Sequence, residues 1–540
     1  MPALVVAGAV TAAWLALAPR TPDLAAQVYR VGLFSREGFA VYDGNWYGGH
    51  HLLGYSLLFP PLAVMLGARI VGAIAAIASA LLFERLARAH FGERRARLGA
   101  IWFAAATATD LLIGRLTYGL GVAIGLAALL ALQRGRPRLA ALLAAACAAA
   151  SPVAAAFLVL AGVALAVGER RPRGLAVALP ALAIACGLAV AFPEGGREPF
   201  AWGALHVVLG CAVAVAVLAP REERVLRIAA ALYGVAGVLS YVLPTPMGSN
   251  VTRLGAVAAG PVLLCALWGR RPTLPAGRAL GVAVLIALAV WQWWAPVREV
   301  AKDVRDPSTQ AAYYTGVIAF LRERVREVGV PEALSAPGSQ FARVEVPFTR
   351  SHWEATFLAR RFPLARGWEA QLDTKYDGLF YTHRRVLDPA RYRAWLLRNG
   401  VRYVALPDVP LDPSSKAEAR LLKAPPRYLR EVWDDAHWRV FRVVDPTPLV
   451  TGPADLLALG SRSFSLQVRQ PGRVLVRERF TPYWRVQGAA ACVAPAPGGW
   501  TEVIARETGV VKVVAALSAE GLVGATAPCP ARTGAVFASG

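Results

Sequence analysis

The sequence predicts an α-helical polytopic membrane bundle followed by a water-soluble α/β plus β-sandwich portion, and three observations carry that prediction. The 540-residue chain is 56% hydrophobic and 17% charged, whereas soluble domains average about 25% charged residues. Its acidic residues are unevenly placed: eleven of the 35 precede Pro296, between long runs of Ala, Leu, Val, Ile and Gly, and the others fall in the shorter remainder. In the first part, Arg clusters alternate with Arg-poor turns, which is the pattern of loops that orient a membrane protein.

A helix needs about 20 apolar residues to cross the hydrocarbon core. The runs 2–19, 62–83, 98–113, 117–133, 139–150, 153–168, 175–192, 201–219, 226–243, 254–268 and 279–296 give about eleven spans, with a break at Ser151 and Pro152 that permits one broken helix in place of two. No small-residue cleavage motif clearly follows the first run, so it is expected to be a retained span. One set of connections holds Arg85, Arg88, Arg94, Arg95 and Arg97, then Arg134, Arg136 and Arg138, and continues through Arg170, Arg221 and Arg270. The opposite short turns hold just Arg115, Arg197 and Arg253. By the positive-inside rule the first set is cytoplasmic, which places 20–61 and everything after about 297 outside the cell. The expected organisation is a transmembrane domain over 1–297 with an outer loop at 20–61, an extracytoplasmic α/β domain over 298–450 and an extracytoplasmic β-rich domain over 451–540. A bacterial plasma membrane is the expected location. In the first part the basic residues fall in these topogenic clusters, so the formal charge of +23 does not point to nucleic acid as a partner, and the lipid bilayer is the expected one.

Cys147, Cys186, Cys211 and Cys265 fall inside apolar runs, where a thiol acts as a small hydrophobe. Cys492 and Cys529 are the pair left in the exported portion, where a disulfide between them is expected.

The 20–61 segment is too long for a simple turn, and long structured loops tend to carry function. It mixes Asp23, Asp43, His50 and His51 with Tyr42, Trp46, Tyr47 and Tyr55, while Gly44, Gly48 and Gly49 permit close backbone approach. Aromatic faces with carboxylates suit a sugar, whose CH faces stack while its hydroxyls need acceptors. The competing reading is an interfacial segment with Trp and Tyr at headgroup level. Adjacent histidines do not converge readily on one ion, so no metal site is assigned to His50 and His51, although a divalent cation is left open.

The pairing of Pro22 and Asp23, the run Tyr42, Asp43, Trp46, Tyr47, Gly48 and Gly49, and the Pro-marked Phe59, Pro60, Pro61 and Leu62 resemble the first outer loop of membrane glycosyltransferases of the C superfamily. The plan of a multi-spanning bundle with an exported C-terminal domain is similar across the whole chain. The pattern also resembles actinobacterial membrane proteins of the 6-pyruvoyl-tetrahydropterin synthase-related type, but no residue supports pterin chemistry. The glycosyltransferase resemblance implies a polyprenyl-phosphate sugar as donor, a cell-envelope glycan or lipid as acceptor, and a loop acid, Asp43 or Asp23, as general base on the acceptor hydroxyl. The leaving phosphate needs cations. Arg69, within the second apolar run, and Arg115 and Arg253, in Arg-poor turns, are the candidates; the alternative is snorkelling or an Asp110–Arg115 ion pair.

In the exported portion, 309–328 and 391–399 read as helices, and 343–348 and 401–406 as strands. Alternating runs at 464–469, 474–479 and 510–516 read as a small β-sandwich. Trp353 and Glu354, with Trp368 and Glu369, form either a carbohydrate platform or a face docked on the membrane half. No Walker, dinucleotide, HExxH, CxxC-pair or GxSxG element occurs, which removes the commonest soluble enzyme classes. A lipid-linked sugar transferase is the expected function; a non-catalytic envelope assembly protein and a secondary transporter are the alternatives, the latter weakened by the lack of clear internal repeats.

Overall fold

The computed structural model describes residues 2–269, 275–382 and 386–525. The first part is helical. Among the described residues, eight helices are long and apolar enough to cross a membrane: Ala68–Phe91, Glu93–Ile113, Leu116–Gln133, Pro152–Glu169, Pro172–Ala191, Arg224–Val242, Gly248–Leu267 and Arg278–Asp303. Three further apolar runs form shorter helices, Pro2–Leu17, Pro137–Ala150 and Trp202–Leu218, of 16, 14 and 17 residues. These are shorter than the eight, and Pro2–Leu17 gains the length of a span only together with the bent Pro22–Glu37 helix that follows it. Ser151 separates two helices: its hydroxyl accepts from Ala154 N–H, and Pro152 opens the next helix without needing a donor. Small residues let the helices approach closely. A Cβ on Gly121 would lie 2.7 Å from that of Ala154.

Residues 20–61 are more regular than a loop. Pro22–Glu37 is a helix started by Pro22, with Asp23 in its first turn and Arg36 in its last, and it stops at Gly38, whose φ is +65°. It follows Pro2–Leu17 at a bend of 77°. A two-stranded hairpin comes next, pairing Tyr42 with His51 and Asp43 with His50.

The C-terminal portion begins with short helices packed on a four-stranded sheet in the order 343–345, 401–407, 438–443, 429–434, parallel only at its first pair. The strand at 343 is three residues long, and the expected 309–328 helix is a single α-helix, Thr315–Arg322, preceded by 3-10 turns. From Val450 onward two four-stranded antiparallel sheets face each other over Phe464, Leu466, Val474, Trp484, Val503 and Val513. Cys492 lies buried in the Ala491–Pro495 strand; Cys529, its expected partner, lies outside the described residues. An ion pair of 2.7 Å between Arg343 and Glu478, both almost fully buried, ties the mixed sheet to the sandwich.

Candidate functional site

The Arg-poor ends of the helices and the C-terminal portion enclose a cavity of about 680 Å³. Pro22–Glu37 supplies one wall. Asp23, Gln27 and Arg30 follow one another at helical spacing, so all three face the cavity. Gln27 fixes the wall in place: its amide donates to the Gly114 carbonyl and accepts from Thr117 N–H at 3.2 Å. Gly114 permits this contact, because a Cβ there would lie 2.6 Å from Leu24 N. The membrane helices contribute Val153, Ala185, Leu188, Ala189 and Phe192, an apolar wall. The connection after Ala191 adds Glu194 and Glu198, the Gly248–Leu267 segment adds Asn250 and Arg253, and the C-terminal portion adds Trp368, Glu369, Gln371 and Lys375.

Most of the charges are paired. Arg115 Nε lies 3.2 Å from Asp23 Oδ2 and its Nη1 4.0 Å from Asp110. Arg30 binds Glu369 at 2.6 Å, with its guanidinium 3.8 Å from the Tyr55 ring centre. His51 Nδ1 lies 2.8 Å from Glu194, which also accepts the His51 backbone N–H. Burial raises the Glu194 carboxyl, but its bonds to His51 outweigh this and hold it below the ordinary value. Burial raises Glu369 against the pull of Arg30, and lowers Lys375, whose ammonium donates to the Glu194 carbonyl. Arg253 stacks over Tyr118 at 5.4 Å and its Nε is enclosed without an acceptor among the described residues.

Of the residues singled out in the sequence, Asp23, Arg115, Arg253 and His51 therefore meet in one cavity, joined by Trp368 and Glu369. Arg69 does not reach it. It sits over Trp14 and donates to the carbonyls of Ala18 and Pro19, capping the end of the first helix. Asp43 does not line the cavity either: it is fully buried, accepts from the Tyr29 hydroxyl at 2.7 Å and from Asn45 N–H, and burial pushes its carboxyl up to about 6. Trp46 is sandwiched between Tyr29 and His50 and donates to the Ala355 carbonyl. Tyr47 donates to the Gly367 carbonyl, and burial lowers His50 to about 3. These aromatics form a wedge driven into the C-terminal portion, and the glycines serve that packing, since a Cβ on Gly48 or Gly49 would collide with Arg343 or with the Tyr42 ring. Trp353 docks on the membrane half by donating to the Arg20 carbonyl. Glu354 is buried beneath it, bonded to the Thr349 hydroxyl, with its carboxyl raised to about 7 by burial.

No protein-family model matches the chain, and no curated protein matches it. Among the described residues, no group of three or more His, Cys, Asp or Glu side chains is arranged to hold a metal ion. Sequence reasoning missed Arg30, Glu194, Glu198 and Lys375. The 23, 27, 30 polar spacing carried a signal for Arg30; the other three come together only through tertiary contacts.

Proposed function

We propose that the protein is a membrane glycosyltransferase that moves a sugar from a polyprenyl-phosphate donor to a cell-envelope acceptor at the outer face of a bacterial plasma membrane. The observation that supports this most is the two-sided lining of one cavity. Apolar side chains of candidate spans adjoin a polar end with Arg115, Arg253, Arg30, Lys375 and four carboxylates. That combination suits an amphiphile whose phosphate lies at the membrane boundary. The Arg-rich connections leave the opposite ends of these helices, so the positive-inside rule supports an external cavity.

In this reading the first isoprene units lie against Leu188 and Phe192, and the phosphate lies at Arg253 and Arg115, where charge-assisted bonds stabilise it as it leaves. The sugar projects toward Trp368. A cavity carboxylate takes the proton of the acceptor hydroxyl. Asp23 is in position for a role there and Asp43 is not, because its carboxylate is enclosed by Tyr29 and Asn45.

Mass spectrometry of lipid-linked sugars after deletion of the gene tests the reading directly, and accumulation of a polyprenyl-phosphate sugar is the expected result. In purified protein, Arg253→Gln should weaken donor binding by about 10- to 100-fold, the worth of one hydrogen bond to a charged group. An unchanged lipid-linked sugar pool together with undiminished donor binding would sink the proposal.

A further inference from the structure

Three of the four cavity carboxylates have a cation. Asp23 has Arg115, Glu369 has Arg30, and Glu194 has His51. Glu198 has no cation within ion-pair distance among the described residues. Among the described residues its carboxylate accepts only the Ser249 hydroxyl, at 3.0 Å. Among the described residues, Arg253 is the cavity guanidinium left without a carboxylate at ion-pair distance. Both side chains line the cavity, and each is held by the same stretch of chain: Ser249 precedes Arg253 by four residues, and Glu198 N–H donates to the Thr245 carbonyl.

The backbone is shaped for this placement. Gly248 has φ +36°, and a Cβ on it would meet the Glu198 carbonyl oxygen. Gly196, at φ +90°, would likewise meet the Gln371 carbonyl. Two glycines thus let the 192–201 connection lie flat between the membrane helices and the C-terminal portion, with Glu198 turned into the cavity.

We infer that Glu198 is the general base of the transfer, that Arg253 takes the leaving phosphate, and that Asp23 is a positioning residue that orients Arg115. This rests on the transferase reading of the same cavity. A carboxylate paired with a guanidinium is a weaker proton acceptor than one held by a hydroxyl in a partly dry site. Burial raises Glu198 to about 7, opposed by the Ser249 hydrogen bond and by the fields of Arg253 and Arg115, with Asp23 adding to the rise. In the step itself, the acceptor oxygen bonds to the anomeric carbon as the bond from that carbon to the phosphate oxygen breaks. The bonding pair leaves with the phosphate, and the acceptor's proton passes to the Glu198 carboxylate.

The test uses full-length protein in detergent with a synthetic polyprenyl-phosphate sugar and a hydroxyl acceptor, following rate against pH. Wild-type turnover should rise with pH through about 7, because the base must be unprotonated. Glu198→Gln should lower turnover by roughly 10²- to 10⁴-fold and remove that limb, with donor KM little changed. Glu198→Asp should recover part of the rate. Asp23→Asn should instead raise donor KM and keep the limb. Ser249→Ala, which leaves the carboxylate in place, should move the limb to higher pH, and so reads the same base if the Gln variant does not fold. An active wild type with an unaltered limb in both Glu198→Gln and Ser249→Ala overturns the assignment of Glu198 alone. A wild type that neither turns over nor binds any such donor overturns the transferase reading and this inference with it.

Discussion

The two halves of the 20–61 segment meet the rest of the molecule in different ways. Pro22–Glu37 is polar along one face, and that face lines the cavity with Asp23, Gln27 and Arg30. The hairpin that follows is richer in aromatics, glycines and histidines, yet Asp43, Trp46, Tyr47 and His50 are almost fully buried against the C-terminal portion. The difference teaches what composition reports. Aromatic rings beside glycines give large contact area at close backbone approach, which serves an interior joint as well as it serves a sugar. Polar groups at helical spacing that share the wall of one cavity point more directly to a site, even where the side chains, as at Gln27 and Arg30, are themselves buried.

If that contrast is right, hairpin variants should act on stability and wall-helix variants on ligand handling. Trp46→Ala removes a ring held by Tyr29, His50 and the Ala355 carbonyl, and thermal unfolding in detergent should show a loss of about 3–5 kcal/mol. Retained stability with lost donor binding would reverse the contrast. Asp43 sharpens it through pH. Its carboxyl is raised by burial from 3.8 to about 6, so its contribution to stability is fully present below the ordinary value and is lost as pH rises through about 6. The Asn variant has no such titration. The stability difference between wild type and Asp43→Asn should therefore shift in favour of the variant between pH 4 and 7, by on the order of 3 kcal/mol; a difference independent of pH would place Asp43 in contact with solvent.

Gln27→Ala should cost about 1–2 kcal/mol through its two lost hydrogen bonds, and should raise donor KM as the wall loses its anchor on the Gly114 turn. The smallest stability effect is expected for Asp23→Asn, within about 1 kcal/mol, because its ion pair with Arg115 is partly open to solvent. A collapse of stability there would make Asp23 structural.

The bundle was legible because apolar runs and Arg-rich connections are local signals; the short helices 137–150 and 202–218 show where length decides and composition does not. Arg115 and Arg253 were legible as arginines in turns otherwise poor in them. Glu198 was not. Its meaning depends on lacking a cation among the described residues while its three neighbours have one, and such pairing is settled by contacts between residues from 92 to 339 positions apart. The hairpin was misleading for the opposite reason: its residue types were conspicuous, but whether they face a ligand or an interior is fixed by Arg343, Glu478 and Ala355 far downstream.

Three bonds from the C-terminal portion end on the backbone around the start of the wall helix: Trp353 to the Arg20 carbonyl, Trp368 to that of Pro22, and the Thr356 hydroxyl to that of Ala25. The partners in each bond are more than 330 residues apart. On a ribosome adding about 5–20 residues per second, the wall helix waits roughly 20–70 seconds for the residues that anchor it. During that interval the helix that will carry Asp23 and Arg30 has only its contacts with the membrane helices, through Gln27 to Gly114 and Thr117 and through Asp23 to Arg115, and a chain interrupted before position 353 would insert its spans without acquiring a chamber.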